Sequence, residues 1–257
     1  MEECILKLFL KRIFTNLKDA IFPDNYTCII CNDELNEDLR YGICDKCNKS
    51  IQYIDDRACV KCGAKLLADS TVCTDCKNNE RIIERNYSVV VYDGKMRKLI
   101  HDFKYSNKRY LKKFLGAMLY DKYREVVEEF RPDIIVAVPL HKDRLRDRGY
   151  NQTELLLSMF AGDKEKIVLG NLVRVKDTPH LASMTKEMRR DKIKNSFAVV
   201  DEQVFKNKKV MIIDDVYTSG ATIDECARVL YKSGAKVVCS LTLANSHIEQ
   251  PLGRKKK

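Results

Sequence analysis

Apolar positions recur along this chain with two different periods. Between residues 87 and 246, short runs rich in Val and Ile alternate with longer stretches whose apolar residues return every three or four positions. The short runs read as buried strands and the longer stretches as amphipathic helices. The pattern predicts strands at Tyr87–Tyr92, Ile134–Val138, Val210–Ile213 and Val237–Leu243, with weaker signals at Leu172–Val175 and Phe197–Val200. It predicts helices at Lys95–Tyr105, Leu111–Phe130, about Gln152–Phe160 and Thr222–Ser233. Asp93-Gly94 marks a turn, Pro132 precedes the second strong strand, and Gly234 stops the last helix. Strands alternating with helices imply an α/β domain over residues 87–246, with a parallel sheet flanked by helices on both faces.

The first 86 residues follow neither rhythm for long. Residues 1–22 place Ile5, Leu6, Phe9, Leu10, Ile13, Phe14 and Leu17 at mostly helical spacing, interrupted by Lys7, Lys11, Arg12 and Lys18. The pattern reads as an amphipathic helix, expected to pack on the body of the protein, with lying on a membrane surface as the alternative. It lacks the uninterrupted apolar region of a signal peptide, and no stretch of the chain is long and apolar enough to span a bilayer. Residues 77–86 read as a polar connector, and residues 247–257 as a basic, solvated tail.

Cysteine changes the picture of residues 23–80. Eight of the 11 cysteines form four Cys-x-x-Cys pairs, Cys28/Cys31, Cys44/Cys47, Cys59/Cys62 and Cys73/Cys76, separated by 12, 11 and 10 residues. A Cys-x-x-Cys turn brings two thiolates to one tetrahedral ion, and two turns complete its four ligands. A disulfide framework would need an oxidising compartment, and no secretory signal is present, so a cytoplasmic double zinc ribbon is expected. Sequential pairing is preferred, with Cys28, Cys31, Cys44 and Cys47 on one ion and Cys59, Cys62, Cys73 and Cys76 on the other. The spacing also permits a cross-braced arrangement. All ligands come from protein, which makes both ions structural. A segment of about 50 residues with few large apolar groups makes little core of its own, so metal is expected to dominate its stability. Cys226 and Cys239 fall on core-like elements and read as plain buried thiols.

The net charge of +10 favours anionic partners such as phosphorylated substrates, nucleic acid and acidic membrane surfaces. Two segments give that charge a place to act. The run Val210–Thr222 (Val-Met-Ile-Ile-Asp-Asp-Val-Tyr-Thr-Ser-Gly-Ala-Thr) begins as a buried strand, presents Asp214 and Asp215 at its end, and turns through small residues into a helix. Ligands of open α/β sheets bind beyond the carboxyl ends of such strands. There the two carboxylates can accept hydrogen bonds from vicinal hydroxyls. Thr218, Ser219, Gly220, Ala221 and Thr222 can surround a phosphate with amides and hydroxyls at a helix start. The second segment follows Ile134–Val138. Its Lys142, Arg144, Arg146 and Arg148 make an anion-binding loop at the end of another buried strand.

The Val210–Thr222 run resembles the phosphoribosyl pyrophosphate (PRPP) signature of type I phosphoribosyltransferases. Together with Pro139-Leu-His-x-x-Arg-x-x-x-Arg-Gly-x-Asn-Gln152, the segment Leu99–Tyr105 and the four cysteine pairs, it is similar to the ComF family of competence-associated proteins over about residues 20–245. The resemblance implies a type I phosphoribosyltransferase fold carrying an N-terminal zinc-ribbon-like module. It implies that Asp214 and Asp215 hold the ribose hydroxyls, that residues 218–222 hold the 5′-phosphate, and that Val138, Pro139 and Leu140 form a pyrophosphate loop with Arg144 and Arg148 as its cations. Lys104 and Arg189 match family positions near the site, as do Asn151 and Gln152. In the flap and hood region, Arg174 to Phe197, His180 and Lys192 stand where the family usually has Gln and Asn. No general base stands out. His180 is a candidate, ahead of His101 and His141.

The implied activity is Mg²⁺-dependent transfer of a phosphoribosyl group from PRPP to a nitrogen acceptor whose identity is open, linked to DNA uptake or to nucleotide salvage. The alternative is a non-catalytic protein that senses PRPP or a nucleotide, or that handles single-stranded DNA alongside other competence proteins. The cysteine arithmetic predicts two zinc ions per chain by elemental analysis of the purified protein. A single ion would assign half the cysteines another role.

Overall fold

The computed structural model describes residues 27–35, 39–67, 70–178 and 186–248. The expected helix over residues 1–22, His180 and the tail beyond residue 248 lie outside them. By compactness the chain divides into two units, residues 1–50 and residues 51–257. The division falls between the two cysteine tetrads.

In the first unit the sulfurs of Cys28, Cys31, Cys44 and Cys47 lie within 4.8 Å of one another. Helix α1 (Asp45–Lys49) starts immediately after Cys44. The Cys44 amide donates to Cys28 Sγ over 3.4 Å, and Asn32, in a left-handed conformation with φ 64°, donates its amide to the Cys28 carbonyl. The second unit opens with the same device. Cys59, Cys62, Cys73 and Cys76 form the other tetrad, α2 (Thr74–Asn78) starts after Cys73, and the Cys73 amide donates to Cys59 Sγ over 3.3 Å. Gly63 takes the place of Asn32, with φ 67°. A Cβ there would sit 2.6 Å from the Asn86 carbonyl oxygen, so glycine is needed for space as well as for backbone angle. Grouping is sequential in both ribbons.

The sheet follows. Its elements are β1 (Asn86–Val91), α3 (Gly94–Tyr105), α4 (Lys112–Phe130), β2 (Ile134–Ala137), α5 (Lys142–Arg148), α6 (Gln152–Leu157), β3 (Leu172–Arg174), α7 (Lys186–Ile193), β4 (Phe197–Val199), β5 (Lys209–Tyr217), α8 (Ala221–Lys232) and β6 (Val237–Asn245). The strand order is β1-β6-β5-β2, all parallel. Val210, Met211, Ile212 and Ile213 of the interior strand β5 have no solvent exposure, as their continuous apolar run requires. One layer over the sheet comes from α8, through Ile223, Cys226, Ala227 and Leu230. Helix α4 buries Phe114, Leu115, Met118, Leu119 and Tyr123. Cys226 and Cys239 are fully buried, in keeping with plain core thiols. The edge of β1 is covered by residues 52–54, where the Ile54 amide donates to the Val89 carbonyl and the Val91 amide to the Gln52 carbonyl, around an isolated antiparallel bridge between Tyr53 and Val90.

Several expectations change. The two weak strands, β3 and β4, pair antiparallel as a separate hairpin and do not join the sheet. The basic loop after β2 is helical from Lys142 to Arg148. His141 accepts the Asp143 amide at its start, and Gly149, at φ 76°, ends it. The span 77–86 is packed rather than a connector. Its Arg81 side chain is 1% exposed, Ile83 is 2% exposed, and Glu84 and Arg85 hydrogen-bond to β6 through Val238 and Ser240.

That packing also alters the stability expected of the second ribbon. Cys59, Cys62, Ala64, Leu66 and Ile83 belong to one apolar cluster with Ile212, Tyr217 and Ile223, so apolar burial adds to whatever the metal contributes. Ile83→Ala should lower the free energy of unfolding by about 2–5 kcal/mol through lost contacts and a residual cavity. Urea denaturation of the zinc-loaded protein checks this, and a loss below about 1 kcal/mol would show that the ribbon is held by its metal alone.

Candidate functional site

Strand β5 does not stop at Ile213. Its parallel ladder with β6 runs on through Asp214 opposite Thr242, Val216 opposite Ala244 and Tyr217 opposite Asn245. Aspartate is a poor strand former, but a paired neighbour of equal length overrides that preference. The carboxylates are therefore fixed by a strand rather than carried on a turn. Successive strand residues face opposite sides, so the two meet different partners. Asp215 Oδ1 takes Lys104 Nζ from α3 at 2.7 Å. Among the described residues its other oxygen, buried, has no hydrogen-bond partner. Asp214 accepts the Asp215 amide at 2.8 Å, and its field reaches Lys104 and Arg174.

Burial, reinforced by the charge of Asp215, pushes the Asp214 carboxyl up to about 7, against the pull of Lys104. Burial opposes the charge of Lys104, but Asp215 and Asp214 outweigh it and its pKa is raised, so the ammonium is retained. The result is a nearly buried cluster of one cation and two carboxylates with spare acceptor capacity.

Past Tyr217 the chain turns into α8. Gly220 lies in the left-handed region at φ 78°, and a Cβ there would clash with the Tyr217 hydroxyl. Ser219, Gly220 and Ala221 are buried. The Asp224 amide is taken by the Gly220 carbonyl, and α8 points its N-terminal amides and dipole at this turn.

The loop after β2 lies beside β5, since Val138 donates to Ile213 at 2.9 Å. Asn151, 4% exposed, caps α6 by accepting the Thr153 amide and donates to the Val138 carbonyl at 3.2 Å. Sequence left its role unassigned; geometry makes it the clamp of the Val138–Leu140 loop. Gln152 accepts from Arg148, whose guanidinium stacks 5.1 Å from the Tyr105 ring. Arg144 is engaged by Asp177 at 3.0 Å and by the Thr178 carbonyl. Together Lys104, Tyr105, Arg109, Arg144 and Arg148 line an open cleft of about 660 Å³. Arg189 lies half-buried on α7, beside Arg190, which donates to Asn79 at 3.2 Å. His141 is used in capping α5, and His101 packs against Tyr105 in a tilted ring pair with centroids 4.8 Å apart.

Two cations near the site carry no signal in the sequence. Arg174, at the end of β3, faces Asp214 electrostatically and packs over the Phe197 ring. Arg81 donates to the Ser219 carbonyl at 2.8 Å from 138 residues away. Neither belongs to a periodic pattern, and only tertiary contact brings them to the strand end.

The two tetrads suit zinc on geometry. Zn–S bonds of about 2.3 Å in a tetrahedron place sulfurs about 3.8 Å apart. Cys31 and Cys44 are 3.7 Å apart and Cys62 and Cys73 are 3.6 Å apart.

A double zinc ribbon domain matches residues 17–77, and a phosphoribosyl transferase domain matches residues 172–257. Competence protein F of Haemophilus influenzae is 30% identical over 219 residues, covering 83% of this chain and 94% of that protein. The chain belongs to the ComF family. Competence protein ComFC of Bacillus subtilis is 25% identical over 248 residues, covering 85% and 95% of the two chains. A hypoxanthine phosphoribosyltransferase structure from Staphylococcus aureus aligns at 12% identity with a TM-score of 0.33, over 57% of this chain and 68% of that one. This ComF-family chain thus joins a type I phosphoribosyltransferase fold, its parallel sheet flanked by helices, to a double zinc ribbon with two cysteine tetrads. Among the described residues, no helix is long and apolar enough to cross a membrane.

The raised Asp214 pKa has a signed consequence for stability. Below about pH 4 both folded and unfolded chains hold the proton, and the stability contributed by the raised pKa is fully present. It is lost as pH rises through about 7, with a slope of at most about 1.4 kcal/mol per pH unit. Asp214→Asn should flatten this part of the curve. Urea titrations across about pH 4 to 8 measure it, and an unchanged slope would place the titration elsewhere.

Proposed function

We propose that this ComF-family protein binds PRPP with Mg²⁺ and transfers the phosphoribosyl group to a nitrogen acceptor. The observation that carries the proposal is the pair of nearly buried carboxylates on the interior strand β5, directly before the Gly220 turn into α8. On this reading Asp214 and Asp215 accept hydrogen bonds from the ribose hydroxyls, and the partnerless Asp215 oxygen supplies one of those acceptors. The turn of Thr218, Ser219, Gly220, Ala221 and Thr222 takes the 5′-phosphate at the helix start. The Val138–Leu140 loop, clamped by Asn151, takes pyrophosphate, with Arg144 and Arg148 as cations. To reach that anion Arg144 exchanges Asp177 for it, which ties pyrophosphate binding to the segment after β3.

Mg²⁺ would be held with the ligand beside Asp214 and Asp215 and would supply charge neutralisation for the leaving group. As the C1′–N bond forms, the C1′–O bond breaks with its electron pair leaving on pyrophosphate, and the proton of the nitrogen passes to solvent water. Positive charge on the ring carbon at that moment is stabilised by the two carboxylates, already fixed by the strand. Lys104, 2.7 Å from Asp215 Oδ1, holds that carboxylate in place for this purpose.

A second reading is favoured by the cleft lined by Lys104, Arg109, Arg146 and Arg148 with Tyr105, which is 52% exposed, and by Tyr110, 58% exposed, next to Arg109 in the chain. Cations interleaved with exposed aromatic rings suit a single strand of DNA, and relatives with competence names give such binding a setting in DNA uptake. Nucleotide salvage is the other setting. A protein that senses PRPP without turnover would use the same residues.

Asp214→Asn with Asp215→Asn should reduce PRPP affinity by more than about 100-fold, measured calorimetrically with Mg²⁺. Undiminished Mg²⁺-dependent binding would sink the assignment. Single-stranded DNA binding should survive the same substitutions and fall steeply with salt. Its absence in the wild-type protein would remove the second reading.

A further inference from the structure

Arg81 spans two places that the chain keeps far apart. Its Nε donates to Cys76 Sγ, a ligand atom of the second tetrad, at 3.5 Å. Its Nη1 donates to the Ser219 carbonyl at 2.8 Å and lies 3.8 Å from Asp224 Oδ2 in the first turn of α8. Its Nη2 pairs with Asp75, which sits between the ligands Cys73 and Cys76. The guanidinium lies 6.0 Å from the Tyr217 ring centroid, and the side chain is 1% exposed. Asp224 holds the same segment again, accepting the Ile82 amide at 3.1 Å. One planar fork therefore touches a metal-ligand sulfur on one side and the turn between β5 and α8 on the other. A lysine, with a single point charge, cannot reproduce that set.

The tetrad end of this strut is anchored independently. The Cys62 carbonyl accepts from Asn86 at 2.9 Å and from Asn245 at 2.7 Å, which fastens the second ribbon to β1 and β6. The first tetrad lies in the other compact unit. The ribbon is thus held to the sheet at Cys62, and Arg81 is a separate link from Cys76 to Ser219.

We propose that metal in the second tetrad sets the conformation of the 218–222 turn through Arg81, a positioning residue, and so controls affinity for the phosphate of a phosphorylated sugar. This rests on the proposed phosphate role of that turn. Four thiolates around one divalent ion carry excess negative charge, and a buried guanidinium hydrogen-bonded to one of them offsets it. When the ion leaves, the Cys76 sulfur is no longer held in place, so Arg81 loses a fixed partner and the Ser219 carbonyl a fixed donor.

The test compares full-length wild-type protein with Arg81→Lys, Asp75→Asn, Cys76→Ser and, as a control on the other tetrad, Cys28→Ser. Zinc content, amide hydrogen exchange of residues 218–222, and affinities for ribose 5-phosphate and for Mg²⁺-pyrophosphate are read on each. Arg81→Lys is expected to keep two zinc ions, to speed exchange in the turn, and to weaken ribose 5-phosphate about tenfold or more while pyrophosphate affinity holds. Asp75→Asn should shift the same readouts in the same direction, and it covers the case in which Arg81→Lys does not fold. Cys76→Ser should speed exchange in the turn; Cys28→Ser should lose one zinc and leave the turn unchanged. Wild-type exchange in a folded, zinc-loaded Arg81→Lys protein would overturn the proposal, as would equal acceleration by Cys28→Ser. The exchange measurement needs no ligand. If wild-type protein binds neither ribose 5-phosphate nor PRPP, the PRPP reading fails while the strut is still judged by exchange.

Discussion

Two adjacent carboxylates, nearly buried on an interior strand, set the terms for everything around them. Water cannot solvate them fully, and their charges repel at close range, so the surroundings must compensate. Lys104 reaches in from α3 to meet Asp215, Arg174 faces Asp214 from the β3–β4 hairpin, and the peptide units on either side stay paired to β6. Asp214 still retains a proton more readily than an ordinary carboxyl. An arrangement this demanding persists because the strand is over-determined by its neighbours, and the same rigidity fixes the positions of the carboxylates.

The glycine turn into α8 shares this fixity. It has no room for a side chain at Gly220, and one of its carbonyls is held by a buried arginine that also contacts a metal-ligand sulfur. The second ribbon is thereby part of the body that carries the site, through apolar packing as much as through polar contact. The two ribbons repeat one another locally, down to the amide–sulfur bond and the left-handed residue after the second cysteine. Local similarity does not give them similar surroundings. Cys59, Cys62 and Cys73 are at most 5% exposed, whereas Cys31 is exposed.

Much of this was legible in one sequence. Continuous apolar runs located the parallel strands, and Cys-x-x-Cys spacing located both tetrads, because each depends on residues close in the chain. The aspartates, the small-residue turn and the arginines after β2 were legible as chemistry for the same reason. Their secondary structure was less so. Propensity ended β5 before Asp214, and only the length of β6 carried the ladder past it. Charge density suggested a loop for residues 142–148, where a capping histidine and Gly149 close a short helix.

By itself, then, the sequence determined what is written in local spacing: the α/β alternation, the cysteine tetrads, and which side chains are candidates for phosphate and hydroxyl chemistry. Tertiary structure decided what depends on distant partners. It made residues 77–86 a packed segment because Arg81 finds Asp75, Asp224 and Ser219 there. It gave Asn151 a carbonyl to hold, turned Arg144 toward Asp177, and set Lys104 against Asp215. Hydrogen bonds and ion pairs act over a few ångströms, and no period along a chain records which residues folding will bring within that reach.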